Sequence, residues 1–321
     1  MSHPPGEFAL IARLTARLSQ SRRVVIGPGD DCAIVAAARA PQLVTIDSMV
    51  EGVHFEVAWA SPEAIGARAL TVNLSDIAAM GGVPTVCVVN LAIRPGLSAR
   101  FFDRLYAGLG AAARAAGVDL VGGNVTRGTA LAITIAQMGE VRGAAMRRDA
   151  ARPGDEIFVT GTLGDAAMGW RVLAGKLGAR GAARQFVIDR WRNPIARLAA
   201  GQRLARMRPV PAAIDISDGL WQDLGHVLER SAVGARIEAP AIPLSAAYRQ
   251  IAGDDATLAL SGGEDYELLF CLRPGASARA LSRRLGVAVA RIGVIARGAG
   301  AHLIGGAAPR HGGWDQLRGP G

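Results

Sequence analysis

Apolar and polar residues alternate along this chain in short segments that switch between the period of a strand and the period of a helix. Strand-like apolar runs are predicted at 24–26, 43–46, 85–93, 118–121, 130–141, 156–160, 212–216 and 266–272. Helical spacing is predicted at 7–18, 61–82, 98–116, 183–207 and from residue 220 onward. Because strands alternate with helices, the pattern predicts a mixed α/β fold.

The segment from Ser61 to Gly82 has the clearest helix signals. Ser61 suits an N-cap and Pro62 suits the first turn, whereas the glycines at 81–82 followed by Pro84 end the helix. At helical spacing an apolar stripe includes Asp76. A buried carboxylate needs a partner, so Asp76 is expected to bind a cation or to accept a hydrogen bond from a neighbouring loop.

Residues 147–156, RRDAARPGDE, form a polar interruption with a Pro-Gly turn. The chain has 321 residues, which is enough for two hydrophobic cores. We therefore predict an N-terminal domain over 1–147 and a C-terminal domain over 148–321.

Composition narrows the classes of partner. The formal net charge is +9, but the basic residues are dispersed arginines apart from Lys176, and only 5% of residues are aromatic. Surfaces that stack nucleic-acid bases need more aromatic side chains, so we predict no nucleic-acid partner. The three cysteines form no CxxC pair, the N-terminus lacks a signal pattern and the longest apolar run is too short for a bilayer. These features predict a cytoplasmic protein without a membrane segment.

The main chemical signal is a set of carboxylates at the ends of predicted strands, joined by the one on the helix at 61–82. The set comprises Asp30, Asp31, Asp47, Asp76, Asp215 and Asp218. Mg²⁺ prefers oxygen ligands and binds a few carboxylates together with water and phosphate oxygens. Each motif alone also fits a turn with solvated side chains. Together the six favour carboxylates from both halves that converge on divalent cations.

Glycines and basic residues supply a second signal. Backbone N–H groups at Gly122 and Gly123 suit phosphate oxygens, although these glycines also suit a tight turn. The chain contains no GxxxxGK[ST] motif, which excludes a P-loop kinase. His54 is either structural or a donor to an anionic oxygen. No Ser/His/Asp or Cys/His arrangement indicates a nucleophile.

Six long motifs, in order along the chain, resemble those of the thiamine-monophosphate kinase family. They are GEFALI at 6–11, GDDCA at 29–33, TIDSMVEGVHF at 45–55, VNLSDIAAMG at 72–81, DISDGL at 215–220 and SGGEDYEL at 261–268. The resemblance runs from Gly6 to about Trp314. This family belongs to a wider group with aminoimidazole-ribonucleotide synthetase, selenophosphate synthetase and a hydrogenase-maturation dehydratase, whose members use ATP without a P-loop.

The resemblance implies two mixed α/β domains of the aminoimidazole-ribonucleotide-synthetase type. The N-terminal domain would bind ATP and metal and dimerise through its sheet, and the C-terminal domain would complete the active site. The implied reaction is ATP-dependent phosphorylation of thiamine monophosphate to thiamine diphosphate, assisted by several Mg²⁺ ions.

Matched motif by motif, the family's site residues map onto this chain in three sets. The implied metal ligands are Asp30, Asp31, Thr45, the backbone of Ile46, Asp47, Asp76, Asn124, Asp215 and Asp218. The implied ATP contacts are Tyr106, Gly123, Arg148 and Ser217, and the implied thiamine phosphate contacts are His54, Glu264 and Trp314. Many family members carry Asp where this chain has Asn124, so one metal site is expected to be weaker.

No residue is expected to act as an acid or base, because the acceptor is already an anionic phosphate oxygen. The nearest alternative is another ATP-using enzyme of the same group, of the purine-synthesis or selenophosphate-synthetase type. The hydrogenase-maturation proteins end in a cysteine, whereas this chain ends LRGPG. A non-catalytic nucleotide- or metal-binding module is a further alternative.

Overall fold

The computed structural model describes residues 7–16, 18, 20–28, 32–309 and 313. Its chain divides into two compact units, the first made of Met1–Ile77 and Val83–Val141, and the second of Ala78–Gly82 and Arg142–Gly321. Both units combine helices with mixed sheets, so the predicted mixed α/β class is confirmed. Among the described residues, no helix is long and apolar enough to cross a lipid bilayer.

The first unit is built around a four-stranded sheet in the order β3-β6-β4-β5. In this sheet β3 and β4 each run antiparallel to β6, and β5 runs parallel to β4. A separate pair of strands, β1 and β2, is antiparallel. The elements are α1 (Glu7–Thr15), β1 (Val24–Ile26), β2 (Ile34–Val35), β3 (Gln42–Val50), α2 (Pro62–Ala79), β4 (Val83–Ile93), α3 (Ala99–Ala116), β5 (Asp119–Arg127) and β6 (Ala132–Glu140).

The helix predicted from residues 61–82 is α2, and it is buried on more than one face. Beyond the predicted apolar stripe, its polar residues Arg68, Asn73 and Ser75 are also almost fully buried. Asn73 satisfies part of its amide by donating from Nδ2 to the carbonyl oxygen of Ala69 at 3.0 Å. The helix is therefore largely buried.

Helices α2 and α3 approach each other at backbone distance. A Cβ built on Gly66 would overlap the carbonyl oxygen of Leu105, and one built on Gly108 would overlap the carbonyl oxygen of Glu63. Only glycine fits at such a crossing, since any other residue forces the two helix backbones apart.

We expect Gly108→Ala to lower the free energy of unfolding by about 1–3 kcal/mol, because the added methyl group overpacks the α2–α3 crossing. Gly110→Ala on the same helix is the matched control. There the nearest atom to a Cβ is the flexible Nη1 of Arg114 at 3.4 Å. This control should gain up to about 1 kcal/mol from the better helix propensity of alanine. Urea denaturation of both variants measures the difference, and equal stabilities would contradict the close crossing.

The second unit contains a six-stranded sheet in the order β12-β9-β11-β7-β10-β8. Only β12 and β9 pair in parallel within it. The elements are β7 (Glu156–Thr160), α4 (Asp165–Leu173), α5 (Gly181–Arg192), α6 (Leu198–Leu204), β8 (Ala212–Ile216), α7 (Leu220–Ser231), β9 (Gly234–Glu238), α8 (Ala246–Ala252), α9 (Thr257–Ser261), β10 (Glu267–Leu272), α10 (Ala278–Leu285), β11 (Val289–Ala296) and β12 (Gly300–Ile304).

Both faces of this sheet are buried. Along β10, Leu269 and Cys271 join a core that includes the apolar face of α7. Leu268 and Phe270 point to the opposite face and join a core with residues of α6 and α10, where the rings of Phe158 and Phe270 stack at 5.6 Å between centroids. Because the sheet is covered on both sides, its strand ends are held in place. The strand β8 ends at Ile216, beside the predicted metal ligands.

Candidate active site

Three of the predicted site residues of the first unit lie where β3 faces α2. The side chain of Thr45 donates a hydrogen bond from Oγ1 to Oδ2 of Asp76, so the carboxylate on the helix has a partner. Thr45 and Asp47 are two positions apart in β3 and therefore share one face of the sheet. We call Thr45, Asp47 and Asp76 the first cluster.

Asp47 does not lie at the end of a strand as the apolar pattern predicts. The strand β3 continues to Val50, because β6 pairs with it along its whole length and places Asp47 opposite Ile135. Asp47 is exposed although it lies within a strand. Ile46 is 65% exposed on the opposite face, where only its backbone is relevant to the predicted ligand role.

His54 follows β3 in a tight turn. Its Nδ1 accepts a hydrogen bond from the N–H of Val50 at 3.1 Å. A ring nitrogen that accepts a backbone hydrogen bond carries no proton, so the proton of the neutral imidazole resides on Nε2. An Nε2–H group can donate to an anionic oxygen, which is the role that the family resemblance implies for His54.

Three further predicted residues of this unit lie on other elements. Asn124 on β5 is exposed and donates from Nδ2 to Oδ1 of Asn90 at 2.9 Å; the register pairs the two residues on neighbouring strands. A Cβ on Gly123 would overlap the carbonyl oxygen of Val89, so the strands approach closely there. Tyr106 lies on α3, and burial raises the pKa of its phenol. The structure thus does not place Asn124 in a contact with the first cluster.

The predicted residues of the second unit gather at the end of β8. Asp215 is almost fully buried in β8, and Ser217 and Asp218 follow it in the turn before α7. The loop of Glu264 runs alongside, since the N–H of Glu264 donates to the carbonyl oxygen of Ser217 at 2.7 Å. We call Asp215, Ser217, Asp218 and Glu264 the second cluster.

Glu264 has an unusual backbone that its neighbours hold in place. Both Glu264 and Tyr266 have positive φ angles, 65° and 52°. The N–H of Tyr266 donates to the carbonyl oxygen of Ile216 at 2.8 Å, which fixes the loop at a second point. Non-glycine residues at positive φ are uncommon and cluster at functional sites, so this loop is a candidate for ligand contact.

The charges around Asp218 include the predicted ATP contact Arg148. Burial raises the pKa of Asp218, whereas His226, a hydrogen bond from Gln222 and the charge of Arg148 act in the opposite direction. Arg148 is exposed, and its carbonyl oxygen accepts a hydrogen bond from Oγ of Ser231 at 2.8 Å. The structure therefore brings Arg148 near the second cluster.

Sequence reasoning missed Asp223, which lies in the first turn of α7. Burial, followed by the charges of Asp215 and Asp218, raises the pKa of Asp223 to about 8. Three carboxyl groups thus share one poorly solvated neighbourhood. The signal available in the sequence was the acidic residue five positions after Asp218, but an acid in a first helical turn is common for reasons of the helix dipole alone.

Asp30, Asp31 and Trp314 lie outside the described residues. In the described part of the chain, no group of three or more histidine, cysteine or acidic side chains is arranged to hold a metal ion. Smaller oxygen sets suffice for Mg²⁺, which keeps several waters and binds substrate phosphates. Both clusters supply oxygen donors. Burial is the main cause that raises the pKa of Asp223, and a cation would offset the charges of Asp215 and Asp218 that add to it. The donor chemistry therefore fits Mg²⁺.

Asp265, the residue after Glu264, is buried in the interior of the second unit. Oδ2 of Asp265 accepts a hydrogen bond from the N–H of Gly164 at 2.7 Å, and its Oδ1 is buried without a hydrogen-bond partner. Burial raises the pKa of Asp265 well above its usual range, and the charges of Asp165 and Glu267 add to this, against the opposing charge of Arg190. Burial therefore favours the protonated form of Asp265 over the charged form.

We expect Asp265→Asn to change how stability depends on pH. A carboxyl group whose pKa is raised in the folded state stabilises the fold below its unfolded pKa of about 4, and this contribution is lost as pH rises toward the folded pKa. The asparagine variant lacks this loss. Relative to the wild type, its free energy of unfolding should therefore improve as pH rises above the unfolded pKa of about 4, and urea denaturation at a series of pH values measures it. Asp189→Asn, at an exposed site, is the control and should track the wild type.

Both halves of the chain match models of known protein families. Residues 29–141 match the family model "AIR synthase related protein, N-terminal domain", and residues 152–305 match "AIR synthase related protein, C-terminal domain". These matches confirm the expected domain type of each half.

Individual relatives narrow the family further. Thiamine-monophosphate kinase of Salmonella typhimurium is 40% identical over 299 residues, which cover 90% of this chain and 88% of that protein. The crystal structure of thiamine-monophosphate kinase from Stenotrophomonas maltophilia K279a has a TM-score of 0.84 at 39% identity, with 94% of this chain and 98% of that chain covered. A structure of AaThiL complexed with AMPPCP and TMP has a TM-score of 0.76 at 31% identity and covers 96% of this chain and 94% of that chain. The chain therefore belongs to the thiamine-monophosphate kinase family.

Proposed function

We propose that this protein transfers the γ-phosphoryl group of ATP to thiamine monophosphate and so forms thiamine diphosphate. The observation that carries the proposal is the similarity of nearly the whole chain to AaThiL, which has been solved with AMPPCP and TMP. The two clusters supply, in this chain, residues of the kind that a transfer between two polyanions needs.

The first cluster is proposed to bind cation and substrate phosphate. Thr45, Asp47 and Asp76 would hold Mg²⁺ together with the backbone of Ile46, and Asp30, Asp31 and Asn124 belong to the same proposed metal set. The hydrogen bond from Thr45 to Asp76 fixes the helix carboxylate against the strand. His54 would donate from Nε2 to a phosphate oxygen of thiamine monophosphate, because its Nδ1 is occupied by the N–H of Val50.

The second cluster is proposed to orient the nucleotide and the thiamine phosphate. Asp215 and Asp218 would bind cation, and Ser217 and Arg148 would contact ATP together with Tyr106 and Gly123. Glu264, held at positive φ, would contact thiamine monophosphate. Trp314, which has a flat apolar ring suited to stacking on a thiamine ring, is proposed as its second contact.

The chemistry needs no general base from the protein, because the attacking oxygen belongs to a phosphate that is already ionised. The protein's task is to place two anionic groups in line and to keep them together. When bound by these carboxylates, Mg²⁺ would neutralise phosphate charge. Arg148 would contribute further positive charge, His54 would donate a hydrogen bond from Nε2, and the carboxylates would anchor the cations.

Phosphate transfer by the purified protein tests the proposal. With ATP and Mg²⁺, thiamine monophosphate should be converted to thiamine diphosphate, whereas thiamine should not be phosphorylated. Removal of Mg²⁺ with EDTA should abolish turnover, and added Mg²⁺ should restore it. Failure to convert thiamine monophosphate would reject the assignment in favour of another enzyme of the group or of a binding module.

We further propose that the protein works as a homodimer in the cytoplasm. The outer face of the first unit's sheet exposes apolar side chains, among them Val44 at 70% and Ile46 at 65%, with Val88 and Met138 beside them. An exposed apolar sheet face of this kind suits a second copy of the chain. Val44→Glu should give a monomer in sedimentation equilibrium, whereas Ile304→Glu in the second unit should not. The three free cysteines suit a reducing compartment.

A further inference from the structure

The side chain of Asp223 accepts hydrogen bonds from the backbone of the turn that contains Ser217 and Asp218 of the second cluster. Its Oδ2 accepts hydrogen bonds from three successive backbone N–H groups, those of Ser217 at 3.0 Å, Asp218 at 3.1 Å and Gly219 at 3.1 Å. The N–H of Asp223 in turn donates to the carbonyl oxygen of Gly219 at 3.0 Å. Asp223 is only 2% exposed, so these bonds are shielded from water.

The turn cannot cap itself, which explains why α7 needs this carboxylate. The N-cap residue of α7 is Gly219, which has no side chain to accept a backbone N–H. Another residue fits poorly there, because its φ is 121° and a Cβ would lie 2.9 Å from the carbonyl carbon of Ser261. Asp223 therefore takes over the capping role from within the helix.

Two of the three bonded N–H groups belong to proposed ligand residues. Asp218 and Ser217 are themselves members of the second cluster, and Asp215 precedes them at the end of β8. Because its three N–H groups bond to Asp223, the turn is held against the first turn of α7. The carbonyl oxygen of Ser217 is left to accept the N–H of Glu264, so one carboxylate also supports the loop of the proposed thiamine phosphate contact.

We propose that Asp223 is a positioning residue: it holds the 217–219 turn in the conformation in which Asp215 and Asp218 bind cation and Ser217 contacts the nucleotide. The inference rests on the proposed function of these three residues. Some residues do not bind the metal themselves but hydrogen-bond to a metal ligand and fix its orientation. Their removal lowers metal affinity by about 10–100-fold.

The test measures cation binding without turnover. Mn²⁺ is titrated into the full-length protein with a non-hydrolysable ATP analogue, and free Mn²⁺ is followed by electron paramagnetic resonance. Asp223→Ala should weaken Mn²⁺ binding by about 10-fold or more, and Asp223→Asn, which keeps one accepting oxygen of the same shape, should weaken it less. Glu229→Gln, at an exposed position near the end of the same helix, is the control and should bind Mn²⁺ like the wild type.

These measurements separate positioning from a general loss of stability. Lower stability alone reduces the folded fraction but leaves the Mn²⁺ affinity of the folded protein, and the Mg²⁺ concentration for half-maximal activity, unchanged. If the alanine variant does not fold, the asparagine variant decides. Wild-type Mn²⁺ affinity in the alanine variant, or in the asparagine variant where only that one folds, would overturn the proposal, as would a wild-type protein that binds no Mn²⁺. Failure to form thiamine diphosphate by a wild type that binds Mn²⁺ would instead refute the proposed function.

Discussion

Replacing Asp47 with asparagine is expected to lower kcat for thiamine diphosphate formation by about 100-fold or more. A cation that stabilises phosphoryl transfer contributes several kcal/mol, and each 1.36 kcal/mol is a factor of ten in rate. Asparagine keeps the size of the side chain but removes the charge that would hold the cation. Asp47 is exposed within β3, so the loss of its charge should leave the fold intact.

The experiment compares steady-state rates over a range of Mg²⁺ concentrations and checks the fold by thermal melting. Asp103→Asn is the matched control, because Asp103 pairs with Arg13 on the surface of the same unit and lies outside both clusters. We expect this control to retain wild-type turnover. If Asp47→Asn turned over at near the wild-type rate at saturating Mg²⁺, the proposed role of the first cluster would be wrong.

Local pattern predicted elements well where a segment's own residues decide them. The helix predicted at 61–82 is α2, and the strand predicted at 212–216 is β8 with the same bounds. Caps, glycines and an apolar run mark such elements from within. The length of β3 could not be read in this way, because its end depends on pairing with β6, and that is why Asp47 lies inside a strand.

The sequence predicted the residue types of the site better than it predicted the contacts between them. A carboxylate on an apolar helix face requires a partner, and the structure supplies Thr45 for Asp76. The sequence could not show that Asn124 bonds to Asn90, because strand register decides it. Nor could it show that Asp223 accepts three backbone N–H groups, since that depends on the path of a turn. A side chain that accepts hydrogen bonds from backbone N–H groups has no sequence motif by which it can be recognised.

Glu267 shows the same limit for the interior of the second unit. It is fully buried, and its carboxylate accepts hydrogen bonds from Oγ1 of Thr160 at 2.6 Å, Nη2 of Arg190 at 3.0 Å and Nε of Arg197 at 2.6 Å. A second bond from Nη2 of Arg197 makes that pair bidentate. The arginines are separated from Glu267 by 77 and 70 residues, so no local pattern connects them.

Glu267→Ala is therefore expected to lower the free energy of unfolding by about 3–5 kcal/mol. The substitution leaves two guanidinium groups, with side chains only 16% exposed, without their counter-charge, and an unpaired buried charge costs far more than an ion pair contributes. Glu238→Ala is the control, because Glu238 is 49% exposed in its pair with Arg291 and should cost no more than about 1 kcal/mol. Urea denaturation of both variants gives the comparison. If Glu267→Ala cost no more than the surface control, the network would contribute no more to the fold than an exposed ion pair does, and the two arginines would have to find water or another partner in the variant.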